Sequence, residues 1–247
     1  MHAKTHKQSE LEHDHSSDAI RERLAGDRRP SYLRDWVYGG MDGAVTTFAI
    51  VAGVVGAELS ARVILILGMA NLLADGFSMA AGNYSGTKTE SDEREHLREV
   101  ERRHIRLAPE GEREEIRQIF AAKGLEGDVL EKAVEAITAD EDRWVTTMLS
   151  DEYGIAHQVR EPWKAALSTF LAFLVCGAVP LLPFILNLPG AFTWSIAMTG
   201  VVFFAIGSAK SRWSLQPWWL SALETLGIGA AAAFVAYLVG DLLKSIA

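Results

Sequence analysis

The chain has a single cysteine, Cys176, and it lies inside an apolar run. One thiol excludes a disulfide within the chain and a multi-thiolate zinc site, and as a small hydrophobe Cys176 reads as packing rather than chemistry. Excess positive charge is also missing. The formal net charge is −8, and residues 90–161 hold 20 Asp or Glu against 11 Lys or Arg, so the acid is gathered in one block. Phosphate binding needs a basic face, so nucleic acid is excluded as a partner and cations become the natural ligands. Residues 1–24 lack the apolar core of a secretory signal, so the first membrane segment is expected to be retained.

Charge itself is scarce over long stretches, and each such stretch has the length a bilayer requires, about 20 residues. Five are expected to span the membrane: 37–58, 62–88, 164–187, 191–209 and 217–240. Pro180 and Pro183 predict a kink in the third. Trp36, Trp163, Trp194, Trp213, Trp218 and Trp219 fall at or near proposed ends, where an amphipathic ring prefers the headgroup level, whereas Trp144 belongs to the acidic block. Orientation follows from the basic flanks. Arg21, Arg23, Arg28, Arg29, Arg34, Lys88, Arg94, Arg160, Lys164, Lys210 and Arg212 all fall on one side, against Arg62 and Lys244 on the other. By the positive-inside rule the N-terminus and acidic block are expected to be cytoplasmic and the C-terminus outside, in the cell (inner) membrane if the source is bacterial.

The reading is therefore an all-α membrane protein, a multi-pass chain embedded in the lipid bilayer. Its expected parts are a polar tail over 1–35, spans one and two over 36–89, a helical domain over 90–162, and spans three to five over 163–247. Residues 90–107 continue the second span without Gly or Pro, so that helix is expected to project from the membrane. Pro109 stops it and suits the start of the next helix, 110–123, which Gly124 ends; helices over 129–137 and 142–153 follow, with Gly154 closing the last. The first 20 residues, with His2, His6, His13 and His15, read as a disordered, solvated tail.

A charged group at the centre of a membrane helix costs roughly 2.5–3.5 kcal/mol, so carboxylates there point to function. Asp42 lies early in the first span, Asp75 near the middle of the second and Glu224 two turns into the fifth; Asp241 reaches the interface and is set aside. Glu224 admits two readings, an ion-path residue or a headgroup-level partner of Lys210 or Arg212. Asn71, Asp75 and Met79 follow at i, i+4, i+8, which puts an amide, a carboxylate and a thioether on one stripe. Oxygen donors with one soft sulfur suit a borderline transition metal better than magnesium or calcium. The competing role is helix packing, with Met79 as filler. Gly39, Gly43, Gly53 and Gly56 make a small-residue face, and self-association through the first helix is expected from it.

The run from Asp42 through Thr46, Thr47 and Gly53, followed by the run from Asn71 through Asp75, Met79 and Asn83 to Tyr84, resembles the vacuolar iron transporter family. The likeness extends over nearly the whole chain from about residue 35. It implies five spans, a cytoplasmic metal-binding domain between the second and third, a homodimer, and exchange of iron(II), often manganese(II), for protons, without a prosthetic group. It also implies that Asp42 and Met79 line the translocation path. Plant members carry a glutamate where this chain has Asn71, while Asp75 stands one turn further on.

In the acidic block the resemblance implies the metal ligands Glu101, Glu112, Glu115, Met148 and Glu152, with His104 replacing a family glutamate. Imidazole remains a good ligand for iron(II) or zinc(II). Glu101 and His104, Glu112 and Glu115, and Met148 and Glu152 each share a helix face, so three helices can direct six ligands to one cluster. Two rival functions stand beside transport. A membrane-bound di-iron carboxylate oxidase is evoked by Glu93-x-x-His96 and Glu101-x-x-His104, yet both motifs lie on one helix about 12 Å apart, where a di-iron site draws on two helices. A metal sensor would use the spans only as an anchor, which the intramembrane carboxylates Asp42 and Asp75 argue against.

Overall fold

The computed structural model describes residues 14–25, 30–155, 160–211 and 215–244. Residues 1–30 form one unit and 31–247 another. In the first, helix α1 (Ser17–Ala25) corrects the expectation of disorder through residue 20, since Asp18 opens that helix and Arg23 closes it in line with its dipole. His2, His6 and His13, like Arg28, Arg29, Arg212 and Trp213, lie outside the described residues.

The second unit is all helical among its described residues: α2 (Leu33–Gly56), α3 (Ala61–Leu107), α4 (Pro109–Ala122), α5 (Gly127–Thr138), α6 (Glu141–Asp151), α7 (Pro162–Ala178), a 3-10 turn (Val179–Leu181), α8 (Leu182–Ile185), α9 (Ala191–Lys210) and α10 (Trp218–Leu243). Among the described residues, five helices are long and apolar enough to cross a membrane: α2, α3, α7 with α8, α9 and α10. The tightened turn at Val179–Leu181 is the break expected at Pro180, where the missing amide and ring clash end the regular ladder. Leucine, isoleucine and phenylalanine on the outside, among them Ile66, Leu73 and Phe77, are exposed, as the lipid-facing side of a span must be.

Helix α2 begins at Leu33, so Asp35 belongs to the first span's helix rather than to the polar tail, and it is buried. The small-residue face of α2 is used inside the chain. A methyl group on Gly39 would run into the Thr169 backbone and one on Gly43 into that of Phe173, both on α7, while Gly56 meets Tyr237 of α10 equally closely. The expectation that this face pairs two chains is thereby corrected: the spacing permits close approach, and the neighbours that approach are α7 and α10. Phe48, Val51, Ile64, Leu72, Phe173 and Leu181 fill the core between these spans.

Helix α3 runs unbroken over 47 residues, its first part apolar and its last part charged. Pro109 starts α4 at a position whose missing amide has no helical partner to lose. Glycines at positive φ, Gly124 at 90° and Gly154 at 69°, end α4 and follow α6. Helices α4, α5 and α6 pack with the end of α3 around Ile116, Val134, Trp144 and Met148, all buried.

Candidate metal sites

Two polar constellations lie along α3. In the first, the end of α3 brings Glu101 and His104 against Glu112 of α4. Their ligand atoms all lie within 4.8 Å of one another, with His104 Nδ1 3.5 Å from Glu112 Oε1 and 3.9 Å from Glu101 Oε1. Glu101 is 1 % and Glu112 5 % exposed. Tyr153 donates a hydrogen bond to Glu101 Oε1 at 3.0 Å, but Glu101 Oε2 and Glu112 Oε2 are buried with no partner among the described residues. Buried carboxylate oxygens are ordinarily satisfied, so this pair of vacant acceptors beside an imidazole fits a cation.

The electrostatics agree. Burial pushes the Glu112 carboxyl up from 4.5 to about 7, and the Glu101 and Glu115 carboxylates add to it. Burial likewise raises Glu152, again helped by Glu101 and Glu115, so Glu115 and Glu152 border the same cluster. Burial and Glu101 raise the Tyr153 hydroxyl, keeping it a donor. Met148, the expected sulfur ligand, has its side chain fully buried in the apolar core with Ile116, Val134 and Trp144. Tyr153 was absent from the sequence reading, because a tyrosine next to a predicted ligand carries no signal of its own.

A pH dependence follows from Glu112. Its carboxyl sits above the ordinary value, so the metal-free fold gains stability from the bound proton below about 4.5 and loses it as pH rises through about 7. A cation must displace that proton. Manganese(II) affinity of the full-length protein is therefore expected to fall about tenfold per pH unit below about 7, with proton release visible as buffer-dependent heat in titration calorimetry.

The second constellation lies between the spans. Asp42 of α2 and Asp75 of α3 are both half-buried on helices that pack together. Thr46 donates to the Asp42 carbonyl at 2.9 Å and accepts from Asn71 Nδ2 at 3.2 Å, so Asn71 is held against the Asp42 turn. Asn71, Asp75, Met79 and Asn83, spaced by four, are all half-buried beside the buried row Leu72, Gly76 and Ala80. Asn83 continues the predicted stripe by one more step. Its amide donates to Asp35 Oδ1 at 2.9 Å, the Ala165 carbonyl at 3.2 Å and Thr169 Oγ1 at 2.7 Å, while its oxygen accepts from Thr87 at 3.3 Å. Asp35 is also ion-paired with Arg160.

A cavity of about 330 Å3 opens at this end of the stripe, lined by Asp35, Met79, Asn83, Thr87, Glu90 and Arg160 among others. Glu224 stands apart, half exposed, with its carboxylate 3.7 Å from Lys210, the pairing that the sequence offered beside a path role.

Residues 33–241 match the family model described as the VIT family. The chain belongs to the VIT family. It is similar to a protein named vacuolar iron transporter from Toxoplasma gondii, 33% identical over 249 residues that cover 93% of this chain and 82% of the relative. It is similar also to vacuolar iron transporter 1 of Tulipa gesneriana, 32% identical with 87% and 88% covered, and of Arabidopsis thaliana, 31% identical with 86% of each covered. The VIT match spans both constellations, the carboxylate stripe between α2 and α3 and the cluster at the end of α3.

Proposed function

We propose that this chain is a divalent metal transporter that carries iron(II), and manganese(II) after it, out of the cytoplasm in exchange for protons. The observation that carries this reading is the continuous stripe Asp42, Asn71, Asp75, Met79 and Asn83 inside the apolar part of two adjacent spans. Ionisable groups at that depth need a partner, and a cation or a proton serves each in turn. The relatives' names, family membership and the buried carboxylate cluster at the end of α3 support it. Outward direction rests on the basic flanks, which support a cytoplasmic bundle of α3 to α6 by the positive-inside rule. That cluster would then capture metal before it reaches the membrane, holding it through Glu101, His104 and Glu112 with Glu115 and Glu152 beside them.

The working unit in this reading is a homodimer, paired through α3 rather than through the glycines of α2. Ala74, Ser78, Gly82 and Ser85 are exposed and small beside the polar stripe, and nothing lies within 4 Å of a methyl group built on Gly82. A half-buried carboxylate cannot face lipid chains, so a second copy closing over the stripe resolves both facts.

Proteoliposomes with the protein reconstituted are the test. Anaerobic iron(II) and manganese(II) influx accompanied by counter-movement of protons is expected, and Met79→Leu is expected to cut discrimination of manganese(II) over calcium about tenfold while leaving volume unchanged. Metal flux with no proton movement would remove the exchange. No flux at all, with metal bound by the bundle, would leave the sensor reading in its place.

A further inference from the structure

Asp35 lies at the bundle-side end of the stripe and is 3% exposed. Its two oxygens are held in different ways. Oδ1 accepts from Asn83, whose amide must face that way because the Ala165 carbonyl on its other side only accepts. That half is fixed by α2, α3 and α7 together. Among the described residues Oδ2 is held by Arg160, a long side chain just before α7 whose Nε is buried without a partner there; the side chain of Arg160 is 23% exposed against 4% for that of Asp35. Tyr32 lies under the guanidinium, 5.7 Å from its carbon to the ring centre. The cation thus has an exit to water that the carboxylate lacks.

We propose that Arg160 is a tethered counter-cation occupying a divalent-metal station at the mouth of the path, formed by Asp35, Met79 and Glu90. The assignment rests on the transport reading above and adds a site to it. Stripping a buried carboxylate of its paired guanidinium leaves the charge uncompensated, so Arg160 leaves only as another cation arrives. A divalent ion at Asp35 needs a second negative charge, and Glu90 lines the same cavity. The cavity of about 330 Å3 has room for about ten waters at ~30 Å3 each, enough for an ion that keeps its own shell of about six. Two carboxylates and the Met79 sulfur favour a borderline transition metal over magnesium. Arg160 then excludes stray monovalent cations, which supply too little charge to displace a guanidinium paired with a buried carboxylate.

The test uses full-length detergent-solubilised protein carrying Glu101→Gln and Glu112→Gln, so that the bundle cluster is silent, and reads free manganese(II) by electron paramagnetic resonance. Arg160→Gln is expected to tighten manganese(II) binding about tenfold. Arg160→Lys, which keeps the charge but loses the fork, is expected to tighten it about threefold. Adding Asp35→Asn is expected to cancel both gains. Unchanged affinity in Arg160→Lys, which decides the matter alone if Arg160→Gln fails to fold, would overturn the station, as would a gain that survives Asp35→Asn. A flat series with normal wild-type flux removes the station and leaves the transport reading, whereas absent flux with the series intact removes the transport reading.

Discussion

Asp42→Asn is expected to lower metal flux in proteoliposomes by at least about a hundredfold and to abolish the linked proton movement with it. Asparagine keeps the size of the side chain and its hydrogen bonding but cannot ionise, so it can neither balance a cation nor hand over a proton. Losing a charge-assisted ligand in a buried site costs about 3 kcal/mol, and each 1.36 kcal/mol is tenfold. The Thr46 bond to the Asp42 backbone carbonyl, at 2.9 Å, is untouched by the change, so the α2 to α3 contact through Asn71 stays in place. Asp75→Asn supplies the comparison. Asp75, half-buried on the adjacent span, is the other carboxylate of the stripe. Abolished flux in that variant would make Asp75 the carboxylate that replaces the plant glutamate at Asn71; near-normal flux would make it structural. Proton movement that survives Asp42→Asn in response to metal would refute the exchange mechanism while leaving family membership intact.

Replacing Glu101 and Glu112 together by glutamine is expected to have two effects of opposite sign. Metal binding by the bundle should weaken by at least about a hundredfold, because two of the three converging ligands lose their charge. The metal-free bundle should melt higher, because glutamine removes the buried ionisable group, and with it the burial cost and like-charge repulsion that together raise Glu112 to about 7, and still accepts the Tyr153 hydrogen bond. Calorimetry and thermal unfolding on the same full-length preparations check both. A lowered melting point without metal would mean that the carboxylates stabilise the fold rather than await an ion.

The spans and the helix ends near Pro109, Gly124 and Gly154 were legible because bilayer length, a missing amide and a positive φ each leave a local mark. Partner choice leaves none. Gly39 and Gly43 announced a close helix contact, but only the fold says that α7 makes it. Asp35 was read as tail because Ser31 and Arg34 around it are polar, although its burial depends on Asn83 and Arg160, 48 and 125 residues away. Met148 fits a ligand pattern by spacing, yet the same face of α6 also fills the bundle core, and spacing does not separate the two uses.

The unbroken length of α3 sets the traffic between the two sites. From Met79 to Glu101 the helix climbs 22 residues, about 33 Å along its axis, several times the ~8 Å over which charges influence one another in physiological salt. An ion bound at one end is therefore electrically invisible at the other, and the stalk cannot pass a signal by field alone. What it can do is hold a loaded carboxylate cluster within a fixed radius of the mouth. In the proposed transport reading, one ion released inside such a volume would amount to a local concentration on the order of 10 mM, far above any free transition-metal pool, and the helix would act as a dispenser whose output depends on how fast the cluster lets go.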